Sequence, residues 1–252
     1  MFEILGSNGG MDPQDGTTAF LLNEAVLLDA GTGLEHLPLA RQRRIRTVLV
    51  SHSHLDHHAH LAFLANNLVS EISTPLEVIA TETTITALKA HIYNDIIWPD
   101  FSKIPNPTNP VLHFNPMPCG IMIERHGVRF QMIEVNHSVP TVGYWIEDLK
   151  AGYRCGFTSD CFTNDNYWNV LNGLPPVDDL IVDCQYLNSE KNTAALAKHY
   201  YAEALAADLQ KLRYKPRILL THIPMKHRAL ILDEVKTLIP DYEVAHIRDI
   251  AS

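Results

Sequence analysis

The sequence predicts an α/β protein whose strands deliver ionisable side chains to one shared edge, and three observations carry that expectation. Short apolar runs rich in β-branched residues end abruptly in a histidine or an aspartate. Segments between them place apolar residues at helical spacing. Residues 51–61, SHSHLDHHAHL, put five histidines and an aspartate into eleven positions. A run of neutral imidazoles buries poorly unless each ring nitrogen finds a partner, so this stretch asks for a metal.

In chain order, TVLVSHSHLDH has a strand at Val48–Val50 that runs straight into the histidine cluster. HLAFLANNLVS then sets Leu61, Leu64, Ala65 and Leu68 on one helical face, which reads as core. Residues 99–118, PDFSKIPNPTNPVLHFNPMP, hold six of the fifteen prolines, which excludes regular helix and favours an extended, stiff loop insertion. FQMIEVNHS ends a strand at Ile133–Val135 and meets His137, and YRCGFTSDC ends one near Phe157 and meets Asp160. YAEALAADLQKL is a second half-buried helix through Ala204, Leu205, Leu209 and Leu212, and PRILLTH brings the strand Ile218–Leu220 to His222. In open α/β sheets ligands gather outside the carboxyl ends of strands, so these four ends can converge on one site despite their separation in sequence.

Composition excludes several function classes. With 252 residues, 46% of them hydrophobic, the chain is expected to form a single globular domain over 1–252, and no repeat or linker divides it. The formal charge is −9 and the longest basic run is RQRR at Arg41–Arg44, so long nucleic acids are poor candidate substrates. The cysteines Cys119, Cys155, Cys161 and Cys184 show no CxxC spacing, which predicts free thiols in a reducing compartment and hence a cytoplasmic protein. The opening MFEILGSNGG lacks the pattern of a signal peptide, and no stretch of 18 apolar residues offers a membrane span.

Within the cluster, His52 and His54 lie two apart on one side of an extended segment, whereas Asp56 and His57 fall where a helix begins and can point back from the other side. Imidazole and carboxylate together suit borderline ions, and the absence of cysteine from the cluster argues against a structural zinc site. Two ions need further ligands, including a carboxylate able to bridge. His137, Asp160 and His222 supply candidates, and Asp160 can bridge.

HxHLDH followed by separate His, Asp and His at strand ends resembles the metallo-β-lactamase superfamily of binuclear hydrolases. Within it the chain looks most like the class II cyclic-nucleotide phosphodiesterases, through LGSNGGMDPQDGTTAFLLN, LLDAGTGLEHL, SHSHLDH, YNDIIWPDF and LLTHIPM. The resemblance implies a four-layer αββα sandwich with two divalent metal ions, zinc being expected and manganese or iron being alternatives. It implies that His52, His54 and His137 hold one ion, that Asp56, His57 and His222 hold the other, and that Asp160 bridges. His199, in LAKHYYAEAL, lies where the family has a histidine facing substrate phosphate, so Asp56 and His199 are the expected catalytic groups.

The chain departs from the family at two places: His60 stands where glycine is common, and TSDC replaces Gly-Asp-Thr around Asp160. Cys161, adjacent to Asp160 on a strand, is expected to point away from the ions. His58 and His60 are expected behind the ligands or exposed, and His36, His91, His113, His126, His227 and His246 are read as ordinary surface or core residues. Asn8, Gly9 and Gly10 form a turn expected to approach the ions.

The chemistry expected is hydrolysis by a hydroxide shared between two cations, with cyclic AMP converted to 5′-AMP. Trp98, Phe101 and Phe114 are candidates either for a base-stacking platform or for anchors of the proline-rich loop. The expected partner is a small nucleotide, with no long nucleic acid and no membrane, and a homodimer is left open. Alternatives on the same metals are a tRNA 3′-processing nuclease, a lactonase or a thioesterase, and, outside catalysis, a metal-binding scaffold.

Overall fold

The computed structural model describes residues 2–10 and 12–250. Its first sheet is built from β1 (Glu3–Asn8), β2 (Gly16–Thr17), β3 (Ala19–Leu21), β4 (Val26–Leu28), β5 (Thr47–Leu49), β6 (Leu76–Ala80) and β7 (Leu112–Pro116), in the order β2-β1-β3-β4-β5-β6-β7. The second sheet is built from β8 (Met122–Arg125), β9 (Val128–Val135), β10 (Thr141–Asp148), β11 (Tyr153–Phe157), β12 (Asp179–Asp183), β13 (Arg217–Thr221) and β14 (Val244–His246), in the order β14-β13-β12-β11-β10-β9-β8. The helices are α1 (Leu39–Gln42), α2 (Leu55–Leu68), α3 (Glu82–His91), α4 (Asn166–Gly173), α5 (Lys191–Ala197), α6 (Ala202–Leu209) and α7 (Arg228–Leu238).

Alternation along the strands explains why the sheets stack. Leu49, Ile181 and Leu219 face a core between the sheets with Phe20, Phe130, Tyr144 and Phe157. Their neighbours Val48 and Val50 face a separate core under α2 and α3. Leu180, Val182, Ile218 and Leu220 face a third core under α4, α6 and α7. Each central strand is therefore apolar on both faces, as strands sandwiched between layers must be. The result is the expected αββα arrangement.

The four strand ends read from the sequence are all present, at β5, β9, β11 and β13. The proline-rich segment is only partly loop, because Leu112–Pro116 forms β7 and pairs in parallel with β6. β7 is the last strand of its sheet, and an edge strand tolerates proline where an inner one does not. Phe101 is buried in the core under α2, with Trp98 and Phe114 packed against that core. The Trp98 indole Nε1 donates to the Ala62 carbonyl at 3.2 Å, so these rings anchor the loop rather than form a stacking platform. Among the described residues no helix is long and apolar enough to cross a membrane.

The turn after β4 lies against β1 with no room for side chains. A Cβ on Gly33 would stand 2.4 Å from the Gly6 nitrogen and 2.5 Å from its Cα. Both obstacles are backbone, so Gly33→Ala should destabilise the fold by about 1–3 kcal/mol, read as a lowered urea midpoint. An unchanged midpoint would mean that this turn and β1 separate freely.

Candidate metal centre

β5 carries its chain directly into the cluster. After Leu49 the chain passes through His52 and a bend at Ser53 to His54, which immediately precedes α2, so Asp56 and His57 occupy the first turn of that helix. β9 leads to His137, β11 to Asp160 and β13 to His222. Two sets of ligand atoms result, each set lying within 4.8 Å of one another: His52, His54, His137 and Asp160, and Asp56, His57, Asp160 and His222.

Asp160 belongs to both sets and turns a different oxygen to each. Its Oδ1 is 3.3 Å from His57 Nε2 and 3.3 Å from His222 Nδ1, whereas its Oδ2 is 3.8 Å from His52 Nε2 and 4.0 Å from His137 Nε2. Asp56 Oδ2 completes the second set, 3.6 Å from His57 Nε2 and 3.7 Å from His222 Nε2. The structure brings together all seven residues singled out in the sequence, in these two groups.

Each inward nitrogen is set by what holds the outward one. His57 Nδ1 donates to Asp29 Oδ2 at 2.7 Å, and His137 Nδ1 donates to the Lys198 carbonyl at 3.0 Å. His52 Nδ1 meets the Ser51 hydroxyl at 3.0 Å, and that hydroxyl donates to Asp29 Oδ2 at 2.8 Å. Such outer bonds fix the tautomer and leave the other ring nitrogen with a lone pair. Accordingly, His52 Nε2, His57 Nε2 and His222 Nδ1 are buried without a hydrogen-bond partner among the described residues. Buried polar atoms are rarely left so. Convergent orphaned nitrogens beside carboxylates are a donor set that fits divalent metal binding.

Electrostatics favours the ligand form of most of these groups. Burial, reinforced by the His57 charge, holds His52 well below the usual imidazole pKa, and burial lowers His54 and His137 despite the pull of Asp160. Metal ligation needs neutral imidazole. Burial opposes the Asp160 charge, but His222 and His57 outweigh it and hold the carboxyl well below its usual range. His57 is pushed up, because Asp160 and Asp29 together overcome its burial.

His199 lies at the same cleft. Its ring stacks on His222 at 5.3 Å and meets His137 edge-on at 4.9 Å, while Nδ1 donates to Asp183 Oδ2 at 2.8 Å. Burial would lower its pKa, yet the Asp183 carboxylate raises it to about 9. Cys161 is buried in the core under α4 and α6, away from the ligand sets as expected. His58 donates to the Ser53 carbonyl at 3.1 Å and His60 packs edge-on to Phe63, so neither joins a set. The Asn8–Gly10 turn does approach: a Cβ on Gly9 would come within 2.5 Å of His222 Nε2.

Two groups that organise the site were missed by the sequence reading, Asp29 and Asp183. Both follow the rule that found the others, an apolar run ending in an ionisable residue, in AVLLDAG and DDLIVDC.

Residues 24–223 match the family model described as the Beta-lactamase superfamily domain. A 3′,5′-cyclic-nucleotide phosphodiesterase of Schizosaccharomyces pombe is 31% identical over 62 residues, which is 25% of this chain and 17% of that protein's length. The unliganded structure of yeast PDE1 superposes with a TM-score of 0.81 at 17% identity, covering 97% of this chain and 96% of that one. The short form of human tRNase Z, ELAC1, superposes with a TM-score of 0.67 at 16% identity, covering 97% and 96%. At these identities the two structures are a likeness of fold.

Removing the charge behind His57 tests how the cluster is held. Asp29→Asn should weaken retention of a divalent ion by about 10–100-fold, measured by competition with a chelator. Affinity equal to the parent's would mean that ring packing alone orients His57.

Proposed function

The chain belongs to the beta-lactamase superfamily, and from that premise we propose that it is a binuclear, metal-dependent phosphodiesterase acting on a 3′,5′-cyclic nucleotide, with cyclic AMP to 5′-AMP as the reaction the sequence resemblance implies. The observation that carries the reading is Asp160, one buried carboxylate facing two different sets of histidines with its two oxygens. His52, His54 and His137 would hold one ion, Asp56, His57 and His222 the other, and Asp160 both. Zinc fits this mixture of imidazole and carboxylate, as do manganese and iron.

Two such cations, when bound, supply an activated water at neutral pH and positive charge for phosphoryl oxygens. The remaining work falls to the chain's own groups. Asp56, half-buried at the start of α2, accepts a hydrogen bond and so orients the attacking water. His199, with Nδ1 committed to Asp183, holds a proton at Nε2 for the phosphate or for the departing 3′-oxygen. The P–O3′ bond breaks as the water oxygen bonds to phosphorus, and the 3′-oxygen leaves as a hydroxyl. The partial match to the fission-yeast phosphodiesterase and the acidity of the chain both support a small cyclic diester over RNA.

Metal analysis of the purified protein should return close to two transition ions per chain, and a strong chelator should abolish hydrolysis until zinc or manganese is restored. Full activity after complete stripping would overturn the metal assignment. Assaying cyclic AMP, a linear oligonucleotide, a lactone and a thioester in parallel fixes the reaction, and hydrolysis of the oligonucleotide alone would move the assignment to a nuclease.

His199→Ala should keep both ions while lowering kcat and kcat/KM together on cyclic AMP by about 10²–10⁴-fold. On bis(p-nitrophenyl) phosphate, whose leaving group needs no proton, the loss should be much smaller if Nε2 protonates the 3′-oxygen. Equal losses would assign His199 to phosphate binding, and no loss on either substrate would remove it from the reaction.

A further inference from the structure

A second crevice of about 210 Å³ opens beside the ligand cluster, lined by Asn8, Gln14, Ile223, Arg228, His246 and Arg248 among others. It shares a wall with the cluster. Ile223 directly follows His222, and Asn8 directly precedes Gly9, the residue that rests on the His222 imidazole. His246 ends β14 and pairs with Leu220 of β13, so it stands at the carboxyl end of the strand next to the one that delivers His222. Substrate bound at the cluster can extend along this edge, where sheets of this kind present their binding groups.

A hydrogen-bond inventory gives the crevice its chemistry. Arg248 is spent, with Nε and Nη2 on Asp15 Oδ1 and Nη1 and Nη2 on the carbonyls of Ile4 and Leu5. Asp15 is spent as well, since it also accepts from the Ser7 amide and hydroxyl. This ion pair is therefore wall. His246 Nδ1 accepts from the Arg248 amide at 3.2 Å, which puts the ring proton on Nε2. Burial and the neighbouring Arg228 charge lower the His246 pKa to about 4, so at neutral pH the ring stays a single donor. Arg228 commits one Nη2 proton to Asp249 and, among the described residues, keeps its second Nη2 proton, Nε and Nη1 for a ligand, so one forked edge that includes Nη2 stays open. What remains for a ligand is a guanidinium fork and an imidazole N–H, and a group that satisfies them offers adjacent acceptors.

We propose that this crevice is the base subsite for the cyclic nucleotide, that it selects a keto-purine over an amino-purine, and that Arg228 is the specificity-determining residue. The inference rests on the cyclic-nucleotide reading above and, within it, sets cyclic GMP ahead of the cyclic AMP that the resemblance implies. A guanidinium matches the carbonyl oxygen and ring nitrogen on the edge of guanine, whereas adenine sets an amino donor beside that nitrogen. Arg228 then faces donor with donor. The same argument separates recognition from chemistry, because Arg228 belongs to neither ligand set.

The test is steady-state hydrolysis of cyclic GMP, cyclic AMP and bis(p-nitrophenyl) phosphate by the metal-loaded parent, Arg228→Ala and Arg228→Lys, with equilibrium binding of 5′-GMP and 5′-AMP as a second readout. The parent should favour cyclic GMP, and R228A should shrink that preference by about tenfold, within the range a bidentate arginine-guanine contact supplies. R228K, which keeps charge but loses the fork, should fall between. Losses are read relative to the aryl diester, which carries no base, so a general loss of folded enzyme does not imitate the effect. A ratio of cyclic GMP to cyclic AMP that is the same in parent and both variants would overturn the subsite. Hydrolysis of the aryl diester with neither cyclic nucleotide accepted would instead overturn the reading on which the subsite rests.

Discussion

One ionised carboxylate, Asp160, sits at 3% exposure where water cannot solvate it, and the site is arranged around that charge. An isolated buried carboxylate costs several kcal/mol in practice and would protonate or drive the structure apart. Here His52, His57, His137 and His222 approach it to 4.0 Å or less. Those rings in turn need their outer nitrogens satisfied, which accounts for the carboxylate of Asp29 and the carbonyl of Lys198 behind them. A positive charge in the middle relieves every member at once. The same donor set that leaves nitrogens orphaned fits a divalent metal ion.

Geometry of this kind demands unusual backbone. Asp29, Ser159, Lys198 and His222 all have φ between 54° and 61°, a left-handed conformation that side-chain-bearing residues seldom adopt. Three of them stand just past strand ends, where the chain must swing sharply to aim its next group inward. Residues held this way cost about 1–3 kcal/mol each and persist only when surrounding bonds determine them. The Asp29 amide is held by the Leu49 carbonyl and the His222 amide by the Ser7 carbonyl. At Ser159 the protein accepts a strain that glycine would avoid.

Much of this was legible because the signal is local. A β-branched run that stops at a histidine states both that a strand ends and that something polar waits there, and that reading located the strand ends at β5, β9, β11 and β13 with His52, His137, Asp160 and His222. Asp29 and Asp183 obey the same grammar but went unread, since an aspartate after a strand is ordinary until its histidine partner is known. His57 lies 28 residues from Asp29 and His199 lies 16 from Asp183, and no periodic pattern encodes such a pairing. β7 was hidden for another reason: the prolines in and around it exclude an inner strand, and nothing local announces that a segment will be an edge. The Arg228 crevice draws on residues 8, 228 and 246, which only the folded sheet brings together.

The division of the site between two sheets has a consequence for biosynthesis. His52, His54, Asp56 and His57 follow the first sheet, whereas His137, Asp160 and His222 follow the second. A nascent chain that has completed its first half displays the signature histidines but lacks the Asp160 carboxylate shared by both groups. Because contacts across such long sequence separation form late, the first ligand set waits for Asp160 beyond β11, the second waits for His222 beyond β13, and both wait for the second sheet to dock on the first. Metal capture would therefore act as a checkpoint on chain completion: a truncated polypeptide would carry the recognisable motif yet remain unable to sequester the ion.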